Sequence, residues 1–233
     1  MKTRFALILV ALLCLSGAMA QPKVLYWTDL NQGTNAVEAA LADLGWDVTV
    51  ASDEVDYNTQ LGAGSWDVTC LLLQNETSYD TDFANLGSYI AGGGKVLYTD
   101  WTMDATRGAL FGITYTGEIN LTPITLAGPF GNGTFDLTNP GWGTWSMGMS
   151  LDGATSAGTF GNGDIAIAYT DNTVINGWLK DTALDPDQGK AVARAELEFL
   201  WGSASCKTTP ELSTWALLIC SGLACVVLRR RRT

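Results

Sequence analysis

The chain has 233 residues, with 13 basic and 24 acidic side chains and no histidine. The missing imidazole removes Ser–His–Asp and Cys–His–Glu catalysis and the histidine-based zinc and copper sites. Residues 21–206 carry six basic against 23 acidic side chains, a net charge of −17, and a surface of that sign repels nucleic acid and anionic lipid headgroups.

Lys2 and Arg4 open the chain, Phe5 to Leu15 is apolar, and Ala18-Met19-Ala20 supplies small residues at the position a signal peptidase reads. The three parts predict a secretory signal over residues 1–20, cut between Ala20 and Gln21. Leu13 is too large to make Cys14 a lipidation site.

Lys23 to Trp27 reads as a strand ending at Thr28-Asp29. Thr34 to Leu44 places Val37, Leu41 and Leu44 at helical spacing, and Gly45 stops the helix. Trp46 to Ala51 is a second strand, ending at Ser52-Asp53. Trp66 to Leu73 is almost continuously apolar, as suits a strand buried on both faces of a parallel sheet. Asp82 to Ala91 reads as a helix closed by Gly92-Gly93-Gly94, and Lys95 to Thr99 as a fourth strand. Together these predict an α/β layer with a parallel sheet. The glycine run precedes a strand rather than opening a helix, so it is a turn and not a phosphate cradle. No Gly-x-Gly-x-x-Gly follows the first strand, and no cofactor is expected.

Residues 112–163 are rich in Gly, Thr, Asn and Pro and are expected to form an irregular, β-rich insertion of hairpins. Ala127 to Gly133 and Ala157 to Gly163 echo each other, each ending in the turn signal Asn-Gly. Asp164 to Tyr169 and Thr173 to Trp178 read as an antiparallel pair. Pro186 opens a last helix running to about Trp201, and Cys206 to Pro210 is a linker.

Asp29, Asp53 and Asp100 each fall at the C-terminal end of a predicted strand, the edge where open α/β sheets bind ligands. Such acids cap helices and turns, bind a cation or polar ligand, or act as an acid–base pair on a glycoside. The pattern leaves all three open. No metal site is assigned. Trp101, with Trp142 and Trp145, falls in or beside loops, where indole faces either stack on sugar rings or lie buried. Cys70 falls in a buried strand, which favours a free thiol over a bridge to Cys206.

The end of the chain reads Pro210-Glu211-Leu212-Ser213-Thr214-Trp215, then an apolar run through Leu228, then Arg229, Arg230, Arg231 and Arg232. Residues 215–228 as a helix would cover about 21 Å of a ~30 Å hydrocarbon core, and residues 212–228 reach the lower limit for a membrane span. The arginines hold its far end on the cytoplasmic side. This tail, within residues 207–233, resembles the PEP-CTERM sorting signal. Leu212 stands where that family usually carries proline. The resemblance implies exosortase as a partner, a transient membrane anchor, and delivery to the cell surface or to extracellular polysaccharide.

Within the domain of residues 21–206, Lys23 to Gly112 and Ile165 to Trp201 resemble class I glutamine amidotransferase-like and trehalose-utilisation-protein-like domains. The resemblance rests on Leu86 to Leu97, on Arg107 to Gly112, on Asn176-Gly177-Trp178 and on Glu196 to Leu200. It implies a flavodoxin-like three-layer fold, helices on both faces of the sheet, with the Gly-rich hairpin insertion and a C-terminal single helix added. The strand that carries the nucleophile cysteine in that group ends here as Tyr98-Thr99-Asp100-Trp101. The expectation is an exported binding or structural domain without enzymatic activity. The alternatives are a carboxylate-dependent carbohydrate-active or metal-dependent enzyme, and a carbohydrate-binding module.

Overall fold

The computed structural model describes residues 21–76, 83–120, 123–144 and 146–208, with residues 203–208 followed as backbone only. The signal segment with Ala20, the sorting motif Pro210 to Ser213, the span 212–228, Arg229 to Arg232, and Trp145 lie outside the described residues.

Five parallel strands form half of one large sheet. In chain order these are β1 (Lys23–Thr28), β2 (Asp47–Val50), β3 (Val68–Leu73), β4 (Val96–Asp100) and, much later, β11 (Thr173–Asn176). Their spatial order is β2-β1-β3-β4-β11, the flavodoxin-like arrangement, with the reversal of direction between β1 and β3. Side chains alternate cleanly across the sheet. Val24, Tyr26, Val68, Cys70 and Leu72 enter one hydrophobic layer, and Leu25, Trp27, Leu71 and Leu73 the other.

Helices cover both faces. α1 (Ala36–Leu44) packs with α5 (Pro186–Thr208) on one side. α2 (Glu54–Ala63) and α3 (Ala84–Ala91) pack together on the other, with Tyr57, Leu61 and Leu86 buried there. α1 forms where the sequence predicts it. The Asn35 side chain accepts from the N–H groups of Val37 and Glu38, and Gly45 closes the helix in the left-handed conformation at φ 63°. A short α4 (Ala105–Leu110), capped by Asp104, follows β4. α5 runs on through Thr208, so residues 206–208 are helical rather than linker.

Residues 112–163 are more ordered than an irregular insertion. They form β5 (Ile113–Glu118), β6 (Ile124–Leu126), β7 (Gly133–Phe135), β8 (Met147–Leu151) and β9 (Thr155–Phe160). With β10 (Ile165–Tyr169), they extend the same sheet in antiparallel fashion beyond β11. The repeated Asn-Gly segments are the turns of two hairpins, β6–β7 and β9–β10. Gly133 and Gly163 sit there at φ 105° and 95°, which L side chains rarely adopt. Among the described residues no helix is long and apolar enough to cross a membrane. Cys70 is a free, buried thiol, and burial pushes its ionisation well above the ordinary range.

Candidate functional site

The C-terminal edge of the parallel strands carries a cleft of about 320 Å³ at the β1/β3 switch point. Gln32 enters from the loop after β1, Gln74 and Asn75 from the loop after β3, and Trp101 from the end of β4. The segment 141–144, which contains Trp142 and Thr144, forms the opposite wall.

Two carboxylates hold these loops. Asp29 accepts from the backbone N–H of Leu30 and Gln74 through one oxygen, at 2.8 Å each, and from Asn75 and Glu76 through the other, at 2.7 and 3.0 Å. It therefore ties the loop after β1 to the loop after β3. Asp181, beyond β11 and 3% exposed, accepts from the N–H of Gln32 at 2.6 Å and of Gly33 at 3.0 Å. It also accepts from the Trp142 indole N–H at 2.9 Å. Asn139 completes this wall by donating to the Trp142 carbonyl.

Gln74 forms the floor. Its amide N–H groups face the Leu30 carbonyl and the Asn31 side chain, and its carbonyl accepts from the Lys180 backbone N–H at 2.7 Å. The Trp101 indole donates to the Glu76 carbonyl at 3.1 Å. Gly33 is required by close approach: a Cβ there would sit 2.6 Å from the Asp181 carbonyl oxygen.

Next to Asp181, the Lys180 side chain turns into the core. Its ammonium lies 2.7 Å from Glu196 of α5, with both side chains fully buried, and 4.3 Å from the centre of the Trp178 ring. Burial pulls the Lys180 ammonium below its ordinary range, against the pull of Glu196, and pushes the Glu196 carboxyl up.

The acids at the strand ends serve separate frameworks. Asp29 braces the cleft. Asp53 caps α2 by accepting from the Asp56 N–H at 2.7 Å. Asp100 is buried and pairs with Arg107 at 3.0 Å. It also accepts from the Tyr98 hydroxyl and from Thr102. Among the described residues, no group of three or more acids or cysteines is placed to hold a metal. Trp101 is half-buried at the cleft, while Trp142 is buried behind its bond to Asp181. Sequence reasoning missed Gln32, Gln74, Asn75, Thr144 and Asp181. Only Asp181 carries a readable signal, since it too follows a strand.

This sheet order, with helices on both faces, defines a flavodoxin-like α/β fold. No family model and no curated protein sequence matches the chain. Among solved structures it is similar to Agd3, a carbohydrate deacetylase, with a TM-score of 0.54 and 13% identity over 78% of this chain and 32% of that one. A glutamine amidotransferase from Thermotoga maritima matches with a TM-score of 0.48 and 11% identity, over 80% of this chain and 96% of its own. A β-galactosidase from the psychrophilic Marinomonas ef1 matches with a TM-score of 0.49 and 12% identity, over 80% of this chain and 29% of its own. The chain thus spans about a third of the deacetylase or the galactosidase and nearly all of the amidotransferase. Likeness at such identity shows the fold alone.

The likeness to the deacetylase corrects one expectation. The fold is shared with an enzyme, so the assignment of the domain as non-enzymatic is not supported. The physical reason is that a histidine-free chain lacks only imidazole chemistry. Carboxylates, lysine and tyrosine remain as acid–base groups.

Proposed function

We propose that the chain is an exported protein of the bacterial cell surface or extracellular polysaccharide, whose α/β domain binds a polar ligand in the cleft at the β1/β3 switch point. A secretory signal ending at Ala20 delivers it. The tail from Pro210 to Arg232 sorts it through exosortase, after a transient stay in the membrane. The observation that carries the binding role is the bracing of the cleft. Asp29 and Asp181 fix loops from both sides of the switch point, so the walls are held ready before any ligand arrives. The terminal segments and the net charge of −17 over residues 21–206 support the export role.

The test is the mass and location of the chain in cells with and without the exosortase. With the enzyme, the chain should lose its apolar tail and reach the surface or the matrix. Without it, the tail should remain and hold the chain at the inner membrane. An intact tail retained in the inner membrane in both strains refutes the sorting role.

A further inference from the structure

We propose that the cleft takes a neutral sugar ring, and that it discriminates against uronic acids and phosphorylated glycans. The inference rests on the binding role proposed for this cleft and names its ligand class.

Among the described residues the lining contains no titratable side chain: it consists of three amides, two indoles, a threonine and two glycines. This is unusual in a domain with 23 acidic residues. Asp29 and Asp181, which brace the cleft, are engaged by backbone N–H groups and, for Asp181, by the Trp142 indole N–H. Among the described lining residues no cation is offered to a phosphate or carboxylate, and the long-range field of the domain repels anions. A neutral ligand escapes both penalties.

The polar groups left for a ligand narrow the class further. The Gln74 amide is occupied on both sides, the Trp142 N–H is held by Asp181, and the Trp101 N–H is held by Glu76. Gln32 and Asn75 are exposed and Thr144 is half-exposed. Each carries both a donor and an acceptor, which is what adjacent sugar hydroxyls require. With its N–H fixed to the Glu76 carbonyl, Trp101 has its ring orientation set, and a half-exposed indole offers apolar surface to the C–H face of a pyranose. A volume of about 320 Å³ lies at the small end of ligand sites, about 300–1,000 Å³, so the cleft accommodates a mono- or disaccharide.

The experiment is a glycan array of neutral and uronic-acid oligosaccharides probed with the purified full chain, followed by calorimetric titration with the best-bound neutral disaccharide. Neutral glycans should bind and quench tryptophan fluorescence. Trp101→Ala and, separately, Asn75→Ala should each weaken binding by about tenfold or more, and Trp101→Phe should restore part of it. Asn75 is exposed, so its variant keeps the test intact if Trp101→Ala destabilises the fold. Preference for acidic glycans, absence of binding to any neutral glycan, or neutral binding unmoved by both variants overturns the proposal. The array uses purified protein, so its failure leaves the export role standing, and mislocalisation in cells leaves the ligand class standing.

Discussion

Removing either member of the buried Lys180–Glu196 pair should destabilise the fold far more than removing both. At 2.7 Å and an effective dielectric of about 20, the attraction is about 6 kcal/mol. Stripping water from two ions costs several kcal/mol each, so the pair as a whole contributes little. A lone survivor keeps the desolvation cost and loses the attraction. Lys180→Met and Glu196→Leu should therefore each lose about 3–5 kcal/mol, whereas the double variant combining them should come within about 1 kcal/mol of the parent or exceed it.

The two single variants should also respond to pH in opposite directions. In Lys180→Met, Glu196 remains, and burial raises its folded pKa. Its folded form holds a proton that the unfolded chain releases, so stability is retained at low pH and lost as pH rises through the folded pKa. In Glu196→Leu, Lys180 remains, and burial lowers its folded pKa. Its unfolded form binds the extra proton, so stability rises with pH up to the unfolded lysine value of about 10.4. Urea unfolding at pH 5, 7 and 9 reads both slopes. The reasoning is refuted if the single losses sum to the double-variant value within about 0.5 kcal/mol, which marks independent sites, or if the two pH slopes share a sign.

Asp29→Asn should lose about 1.5–3 kcal/mol, because it weakens charge-assisted bonds to four backbone N–H groups. Hydrogen exchange should accelerate at the amides of Gln74 to Glu76, and unchanged protection there would contradict the bracing role. Gly177→Ala should lose about 1–3 kcal/mol by overpacking, since a Cβ would collide with the Met147 carbonyl oxygen and press on Phe160. A thermal midpoint equal to the parent's would show that β8 yields at no cost.

The parallel half of the sheet was legible because its signals are local. Six consecutive buried residues mark β3, and Gly45 marks the end of α1. α2 escaped notice because only Tyr57 and Leu61 are buried in it, too few to give a period. Its signal was the cap, Asp53 with Asp56 three residues on. α4 is six residues long and likewise announced only by its cap, Asp104. The strands of residues 112–163 pair with partners far along the chain, β5 with β8 and β6 with β9, and no local pattern encodes such pairing. For the site, acids at strand ends pointed to the correct edge of the sheet. Reading β11 by the same rule would have reached Asp181. Gln32, Gln74 and Asn75 carry no pattern at all, because an amide in a loop is common, and only the folded topology brings residues 32, 74 and 141–144 together.

The strand-end acids thus change meaning once the loops are folded. A carboxylate beside open solvent attracts cations. A carboxylate surrounded by backbone N–H dipoles has its charge answered by the chain itself. Asp29 and Asp181 belong to the second kind, and their oxygens are engaged by the loops. The domain can then carry a large negative charge and still present a neutral recess at the one edge where a flavodoxin-like sheet offers a ligand room. Selectivity there falls to shape, amide and hydroxyl bonding, and the Trp101 ring. For the same reason, affinity at this cleft should depend weakly on ionic strength, since a neutral ligand gives salt no charge pair to screen.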